Sequence, residues 1–476
     1  MDIVYLYGKY KECGGRVTTD SRRIAGGELF FALKGENFDG NEYALKALEA
    51  GAAYAVVDRG AAVAAGLSDV SGADASGSSV MDSPEKSVVP EGLESRLIPV
   101  EDTLAALQAL ARWHRSMSSA DGKPLPVIAL TGTNGKTTTK ELIKAVLETG
   151  YRVTATEGNL NNSIGVPLTL LKITSRTQIA VVEMGASHPG DIKELVSVAL
   201  PTYGLITNVG KAHLLGFGSF EGVMAAKGEL YDYLQRTADK AFVNADNPYL
   251  NEMASARPDL RTVRYGLGYE GAEVLPASPQ SPYLRIRLSS GTLVETRLVG
   301  EYNADNVMAA LAVGKEFGIK EEDAANAVSG YEPKNSRSQM LRTASNVLIV
   351  DAYNANPTSM SAALDNLDSM KAEHKAVMLG DMLELGPESV GEHEAVLARL
   401  SRLKHLDVIV LVGDEFRKAL DAEDGAAVAE ALGNRTKWFA TSELAASFLR
   451  ANPLKDCCIL IKGSRGSRME NVVPEL

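Results

Sequence analysis

Val127-Ile128-Ala129-Leu130-Thr131-Gly132-Thr133-Asn134-Gly135-Lys136-Thr137-Thr138 is the stretch whose reading decides the fold. Residues 127–131 form an apolar run with the length of a buried strand. Residues 138–148 have helical spacing, closed by Gly150. The join between them is rich in glycine, which lets successive backbone N–H groups curl around phosphate oxygens. The start of the following helix adds partial positive charge and Lys136 a full one. The Thr137 hydroxyl is placed to meet a Mg²⁺ ion. A full phosphate loop has glycine or alanine five residues before Gly135. Leu130 stands there, so this is a shortened form of the loop.

The same alternation continues on both sides. Strands are expected at 127–131, 152–156, 179–183, 203–207 and 242–244, separated by helical patterns. That order predicts an α/β fold with a doubly wound parallel sheet. Such sheets bind ligands beyond the carboxyl ends of their strands. The unusual polar clusters fall there: 132–137, 159–162, Glu183, Asn208 with His213, and Asp246-Asn247. A second alternating run, 347–350, 376–379, 407–412, 437–440 and 457–461, predicts a Rossmann-like domain. The N-terminal segment reads as mixed α/β, with strands at 28–33, 53–57 and 96–100 and helices at 43–50 and 103–115. Residues 66–90, rich in Ser, Gly, Asp and Ala, read as a flexible surface insertion. Residues 121–124 read as a linker, and 331–334 as a hinge. The expected domains are therefore 1–122, 123–330 and 331–476.

Length agrees, since 476 residues suggest about three domains. Lys plus Arg is 49 against 61 Asp plus Glu, a formal charge of −12, which disfavours sequence-blind nucleic-acid binding and docking on anionic membranes. The longest apolar runs, such as 408–412, are too short to span a bilayer, and no signal pattern opens the chain. Three cysteines make no disulfide framework. A reduced, cytoplasmic, multidomain protein is expected, and a monomer.

Single residues are weighed by position. Glu183 ends an apolar strand and can hold a hard cation near phosphates, although a solvated strand-end carboxylate has the same pattern. His213 leaves another strand of the same sheet and is a second candidate ligand. Lys227 sits in an amphipathic helix, where an ordinary surface lysine is the plain expectation. Cys457-Cys458 on one strand should point to opposite faces and pack in cores. Met360, Met370, Met378 and Met382 should fill gaps in the core.

Taken together, GTNGKTT (132–138), NLNN with GVP (159–167), EMGA (183–186), TNVG with AHL (207–214) and AKGEL (226–230) resemble the Mur ligases of peptidoglycan synthesis. TDSR (19–22) with LFFALKGENFDG (29–40) resembles the family's UDP-sugar-binding first domain. DAYNANP (351–357) and GDMLELG (380–386) resemble the branch that joins D-alanyl-D-alanine to a UDP-N-acetylmuramoyl-tripeptide. The resemblance implies ATP on Gly132, Thr133, Asn134, Gly135, Lys136, Thr137 and Thr138. It implies two Mg²⁺ ions held by Thr137, Glu183, His213 and a carbamylated Lys227, with Lys136, Lys227 and His213 as the catalytic set. Asn303 and Asn306, in GEYNADN (300–306), match the adenine stretch, with Tyr302 in place of its histidine. Arg337 and Asp351 match third-domain contacts to the γ-phosphate and the ribose. Asp20, Ser21, Arg22, Lys34, Gly35, Asn159 and Asn162 are implied at the UDP substrate. KGSR (462–465) is implied as an anion contact. The implied chemistry is an acyl phosphate made from ATP and captured by the amine of D-alanyl-D-alanine.

Three alternatives bear on this expectation. A diamino-acid-adding Mur ligase shares the first domain but not the third-domain pocket. A folylpolyglutamate synthetase shares the shortened loop but should lack Asp20-Ser21-Arg22 and Leu33-Lys34-Gly35. A non-catalytic nucleotide switch would not need Lys136, Glu183, His213 and Lys227 intact.

Overall fold

The structure, a computed structural model, describes residues 2–35, 38–60, 93–277, 282–333, 337–403 and 405–476. The insertion expected at 66–90 lies outside the described residues. The chain divides into two compact units. One comprises Met1–Val127, Thr154–Val182 and Glu194–Pro201; the other comprises Ile128–Val153, Glu183–Lys193 and Thr202–Leu476.

The first unit opens on a helix the sequence patterning did not foresee, Ile3–Glu12, started by the Asp2 carboxylate accepting from Val4 N at 2.9 Å. Strands Val17–Thr18, Leu29–Phe31, Tyr54–Asp58 and Leu97–Val100 pair in that order, all parallel. Helix Thr103–Ser116 buries Ala106, Leu107, Leu110 and Ala111, the i, i+1, i+4, i+5 stripe of an amphipathic helix. The stretch expected as a linker is a hairpin. Ser119–Ala120 pairs with Lys123–Pro124 across Asp121 and Gly122, whose φ angles are 52° and 75°. Asp-Gly tolerates two successive positive φ angles, so it closes a two-residue turn as readily as it spaces domains.

In the second unit the central strands lie in the order Val127–Thr131, Tyr203–Ile206, Lys240–Asn244, Arg261–Tyr265. Val127–Thr131 is buried along its whole length, as a strand covered on both faces must be. It pairs in parallel with Tyr203–Ile206, which pairs in parallel with Lys240–Asn244, and that with Arg261–Tyr265. The last of these strands was not anticipated, and neither was a three-stranded antiparallel sheet of Glu273–Leu275, Arg285–Arg287 and Leu293–Glu295.

The third sheet has the order Gln339–Arg342, Val347–Asp351, Cys457–Lys462, His374–Gly380, Leu406–Val412, Thr436–Phe439. Its pairings are parallel except for the Gln339–Arg342 edge, which runs antiparallel. Two cores cover its faces. Cys458 joins Met360 and Met382 in one, Cys457 joins Met378 in the other, and Met370 packs against the first. The two-residue period of a strand separates the adjacent cysteines in this way. All three cysteines are free and buried. Among the described residues no helix is long and apolar enough to cross a membrane.

Candidate active site

The loop after Val127–Thr131 is shaped by its two glycines. Gly132 has φ 147° and Gly135 has φ 78°, the latter preceding helix Lys136–Leu147. A side chain at Gly135 would also come within 2.5 Å of Asn306 Oδ1, so both backbone angle and space require glycine there. The neighbouring strand's loop clamps the turn. Thr133 N donates to Asn208 O at 3.0 Å, Asn134 N to Asn208 Oδ1 at 2.9 Å, and Thr207 Oγ1 to Asn134 O at 2.6 Å. The third domain adds a clamp, with Asn356 Nδ2 donating to Asn134 Oδ1 at 2.7 Å. A fixed turn at a helix N-terminus is an anion cradle.

Lys136 folds back over this turn, its Nζ donating to Gly132 O at 2.8 Å and Thr133 O at 3.1 Å. Burial pulls its ammonium below the ordinary lysine value, an effect that Glu183 opposes and Arg337 reinforces. Glu183 and Arg337 therefore both lie within electrostatic reach of Lys136. Thr137 Oγ1 donates to both Glu183 oxygens, at 3.2 and 2.9 Å, and both side chains are buried.

Helix Phe220–Thr237 starts at Ser219, whose hydroxyl accepts from Gly222 N at 3.1 Å. It carries Lys227 inward, and the residue is only 3% exposed. Burial, helped by the nearby Lys136 charge, pulls the Lys227 amine down to about 7, with Asp191 acting the other way. Its Nζ lies 5.7 Å from the centre of the Phe217 ring. Two residues on, Glu229 accepts from Gly190 N at 2.7 Å and Lys193 N at 2.8 Å, tying the helix to the segment after EMGA.

His213 has φ 51° and places its ring 6.4 Å from Phe217, centre to centre. Its Nδ1 lies 2.5 Å from Glu384 Oε2 in GDMLELG. Among the described residues no group of three His, Cys, Asp or Glu side chains is gathered as a metal site. The structure thus joins Thr137 to Glu183, and places His213 and Lys227 around Phe217.

Asn303 and Asn306 are buried. Asn303 Nδ2 donates to Val299 O at 2.8 Å, Asn306 Nδ2 to Asn303 Oδ1 at 3.0 Å, and Thr139 Oγ1 to Asn306 Oδ1 at 2.9 Å. Their amides brace the phosphate-loop helix. Asp351 receives Lys462 Nζ at 2.5 Å, so two residues expected as separate contacts form one ion pair. Arg337 stacks on Tyr353, 3.6 Å from the ring centre, and Arg465 lies 5.5 Å from the same ring.

Comparison with known proteins decides the family. Residues 16–115 match the Mur ligase family catalytic domain, 130–314 the Mur ligase middle domain, and 336–465 the Mur ligase glutamate ligase domain. The UDP-N-acetylmuramoyl-tripeptide–D-alanyl-D-alanine ligase of Bacillus subtilis is 36% identical, covering 97% of this chain and 92% of its own length. The chain belongs to the Mur ligase family. MurF from Acinetobacter baumannii has a TM-score of 0.78 at 31% identity, covering 97% of this chain and 93% of that one. MurF from Thermotoga maritima, solved with ADP, has a TM-score of 0.75 at 25% identity, covering 97% and 96%.

The first-domain motifs of this Mur ligase have ordered local structures. The Asp20 carboxylate accepts from Arg22 N at 3.0 Å and takes both Nε and Nη2 of that guanidinium, at 2.8 and 2.9 Å, across the turn Ser21–Arg23. Lys34-Gly35 pairs with Phe38-Asp39, and Lys34 Nζ lies 3.6 Å from the Asp39 carboxylate. Asn162 spends its side-chain oxygen on Ile164 N and Gly165 N at 3.2 and 2.9 Å, ahead of helix Gly165–Leu170. Asn159 is exposed. The sequence reading of this Mur ligase missed four residues as individuals: Thr207, Glu229, Asn356 and Glu384. Each sits inside a quoted motif, which was the available signal. Their partners lie far along the chain and carry no local signature.

Proposed function

We propose that this Mur ligase uses ATP to join D-alanyl-D-alanine to UDP-N-acetylmuramoyl-tripeptide in the cytoplasmic synthesis of peptidoglycan precursors. The observation that carries the proposal is the Lys136–Thr137–Glu183 phosphate site, in a chain alike over 97% of its length to a relative with that name. ATP binds with its phosphates on residues 132–138. Lys136 meets the charge that develops on the transferred phosphoryl group, and Arg337 enters the same field from the third domain. Asp351, with Lys462, and the Asn303–Asn306 stretch line the nucleoside side. Asp20-Ser21-Arg22 and Lys34-Gly35 supply charge and backbone groups to the UDP moiety, with Asn159 and Asn162 beside the sugar-peptide.

A hydroxyl and a carboxylate already in contact, Thr137 and Glu183, are the hard oxygen donors that Mg²⁺ prefers. They would hold the ion, with His213 and a carbamylated Lys227. When bound, Mg²⁺ neutralises phosphate charge. An amine pulled down to about 7 is neutral often enough to capture CO2; the ammonium first gives up one proton, a new N–C bond forms to CO2 and a second proton leaves, so that a cation becomes an anion. The tripeptide carboxylate attacks the γ-phosphorus and ADP departs. The D-alanyl-D-alanine amine then attacks the acyl carbon, and phosphate leaves with one oxygen of the former carboxylate. The protein's part is alignment and charge neutralisation.

Phosphate release with an acceptor panel tests this. Turnover is expected only with UDP-tripeptide and D-alanyl-D-alanine together. Equal turnover with a UDP-dipeptide and an L-diamino acid would transfer the chain to the diamino-acid branch. Release with folate and glutamate would favour the folate-type reading, and no release with any acceptor would favour a nucleotide switch.

A further inference from the structure

We propose that Glu384 is a positioning residue for the ligation, acting on His213 from the third domain; this rests on the proposed function. The contact is short, 2.5 Å from Oε2 to Nδ1, although Glu384 is largely exposed. Both residues adopt the left-handed backbone that side chains rarely take, with φ 51° at His213 and 69° at Glu384. Paired unfavourable conformations facing each other persist only where the surroundings over-determine them.

The surroundings do so here. Just before Glu384, Met382 N donates to His393 Nε2 at 3.0 Å and Leu383 N to Ser464 Oγ at 2.9 Å. The Asp381 carboxylate accepts Glu415 N and Phe416 N at 3.0 and 2.9 Å, anchoring the loop to the start of helix Asp414–Asp421. Just after Glu384, Gly386 abuts Leu215, the second residue beyond His213. On the other side of His213, Lys211 reaches Glu392 at 2.7 Å. The loop of 381–386 is thus fixed at both ends and presents one carboxylate to one imidazole.

A carboxylate can only accept, so it selects the tautomer with hydrogen on Nδ1 and leaves the Nε2 lone pair free. It also stops rotation of the ring. Lys227 and His213 both lie near the Phe217 ring, so fixing the imidazole fixes its placement against the ring that the Lys227 amine also approaches. The central domain supplies His213 and the third domain supplies what orients it. The reactive arrangement is therefore complete only when both are present.

The experiment compares Glu384→Ala and Glu384→Gln. Glutamine keeps an acceptor oxygen, whereas alanine has none. Removing such an outer partner of a functional histidine costs about 10- to 100-fold. We expect kcat to fall by that factor in Glu384→Ala, with KM for ATP and UDP-tripeptide unchanged, and to recover for the most part in Glu384→Gln. The second readout needs no substrate. The chain has six histidines, so ring-nitrogen NMR can resolve them, with His213 assigned from the signal lost in His213→Gln. The wild-type His213 ring should be protonated on Nδ1, and Glu384→Ala should shift it to the Nε2-protonated form. If Glu384→Ala fails to fold, Glu384→Ser, too short to reach Nδ1, takes its place. An unchanged tautomer, or wild-type kcat in the alanine or serine variant, overturns the proposal. If the wild type does not ligate these substrates, the function reading fails, while the NMR result still judges the Glu384–His213 claim.

Discussion

Lys136→Ala is expected to lower turnover by about a hundredfold or more, with the fold intact. The Lys136 ammonium lies over its own loop, bonded to Gly132 O and Thr133 O. Those carbonyls belong to a turn already held by Thr207, Asn208 and Asn356, so the backbone survives the loss. In the proposed mechanism what disappears is the full charge opposite the phosphoryl group in flight. Removing one such electrostatic partner costs on the order of 10²–10³ in kcat. Circular dichroism should be unchanged while phosphate release nearly vanishes. A well-folded variant turning over at the wild-type rate would reduce the loop to a structural turn.

Lys227→Ala is the second large effect, with activity expected to fall by about two to three orders of magnitude. Acetate or another short carboxylic acid should restore part of it by occupying the place of the carbamate. Full activity in the variant, or rescue by neutral acetamide equal to that by acetate, would defeat the carbamate. A pH signature separates the amine from its surroundings. The buried amine titrates near 7, against an ordinary 10.5. Below 7 both folded and unfolded chains carry the proton, and the folded state bears the whole desolvation penalty. Between 7 and 10.5 only the unfolded chain holds the proton, so folding stability from this group rises with pH. Lys227→Met, measured by urea unfolding in CO2-free buffer, should exceed the wild type most below pH 7, the gap closing as pH rises. A gap independent of pH would mean that the amine is not buried in solution.

What the sequence disclosed follows from the range of the forces involved. Gly132 and Gly135 were legible because only glycine takes those angles in a turn that approaches phosphate. Cys457 and Cys458 were legible because a strand alternates its faces whatever lies around it. Val127–Thr131 and Ile179–Glu183 were legible because strands covered on both faces are continuous apolar runs. Arg285–Arg287, by contrast, has three residues with one buried, too few for any period to register. Lys227 could not be told from a surface lysine, because its burial is decided by the packing of other elements. Glu384 and His213 meet through two loops far apart in sequence, and no spacing rule encodes that. Asn303 and Asn306 were legible only through the resemblance of GEYNADN to the family's adenine stretch, and the hydrogen bond from Thr139 to Asn306 depends on which helix lies beside them.

The central claim is that ATP activates the tripeptide carboxylate as an acyl phosphate that D-alanyl-D-alanine then captures. Its most direct test is oxygen tracing. UDP-tripeptide labelled with ¹⁸O in the terminal carboxylate is turned over with ATP and D-alanyl-D-alanine, and the released phosphate is analysed by mass. The account predicts one labelled oxygen in each phosphate, together with a UDP-pentapeptide. Unlabelled phosphate, or label appearing in AMP, would contradict it.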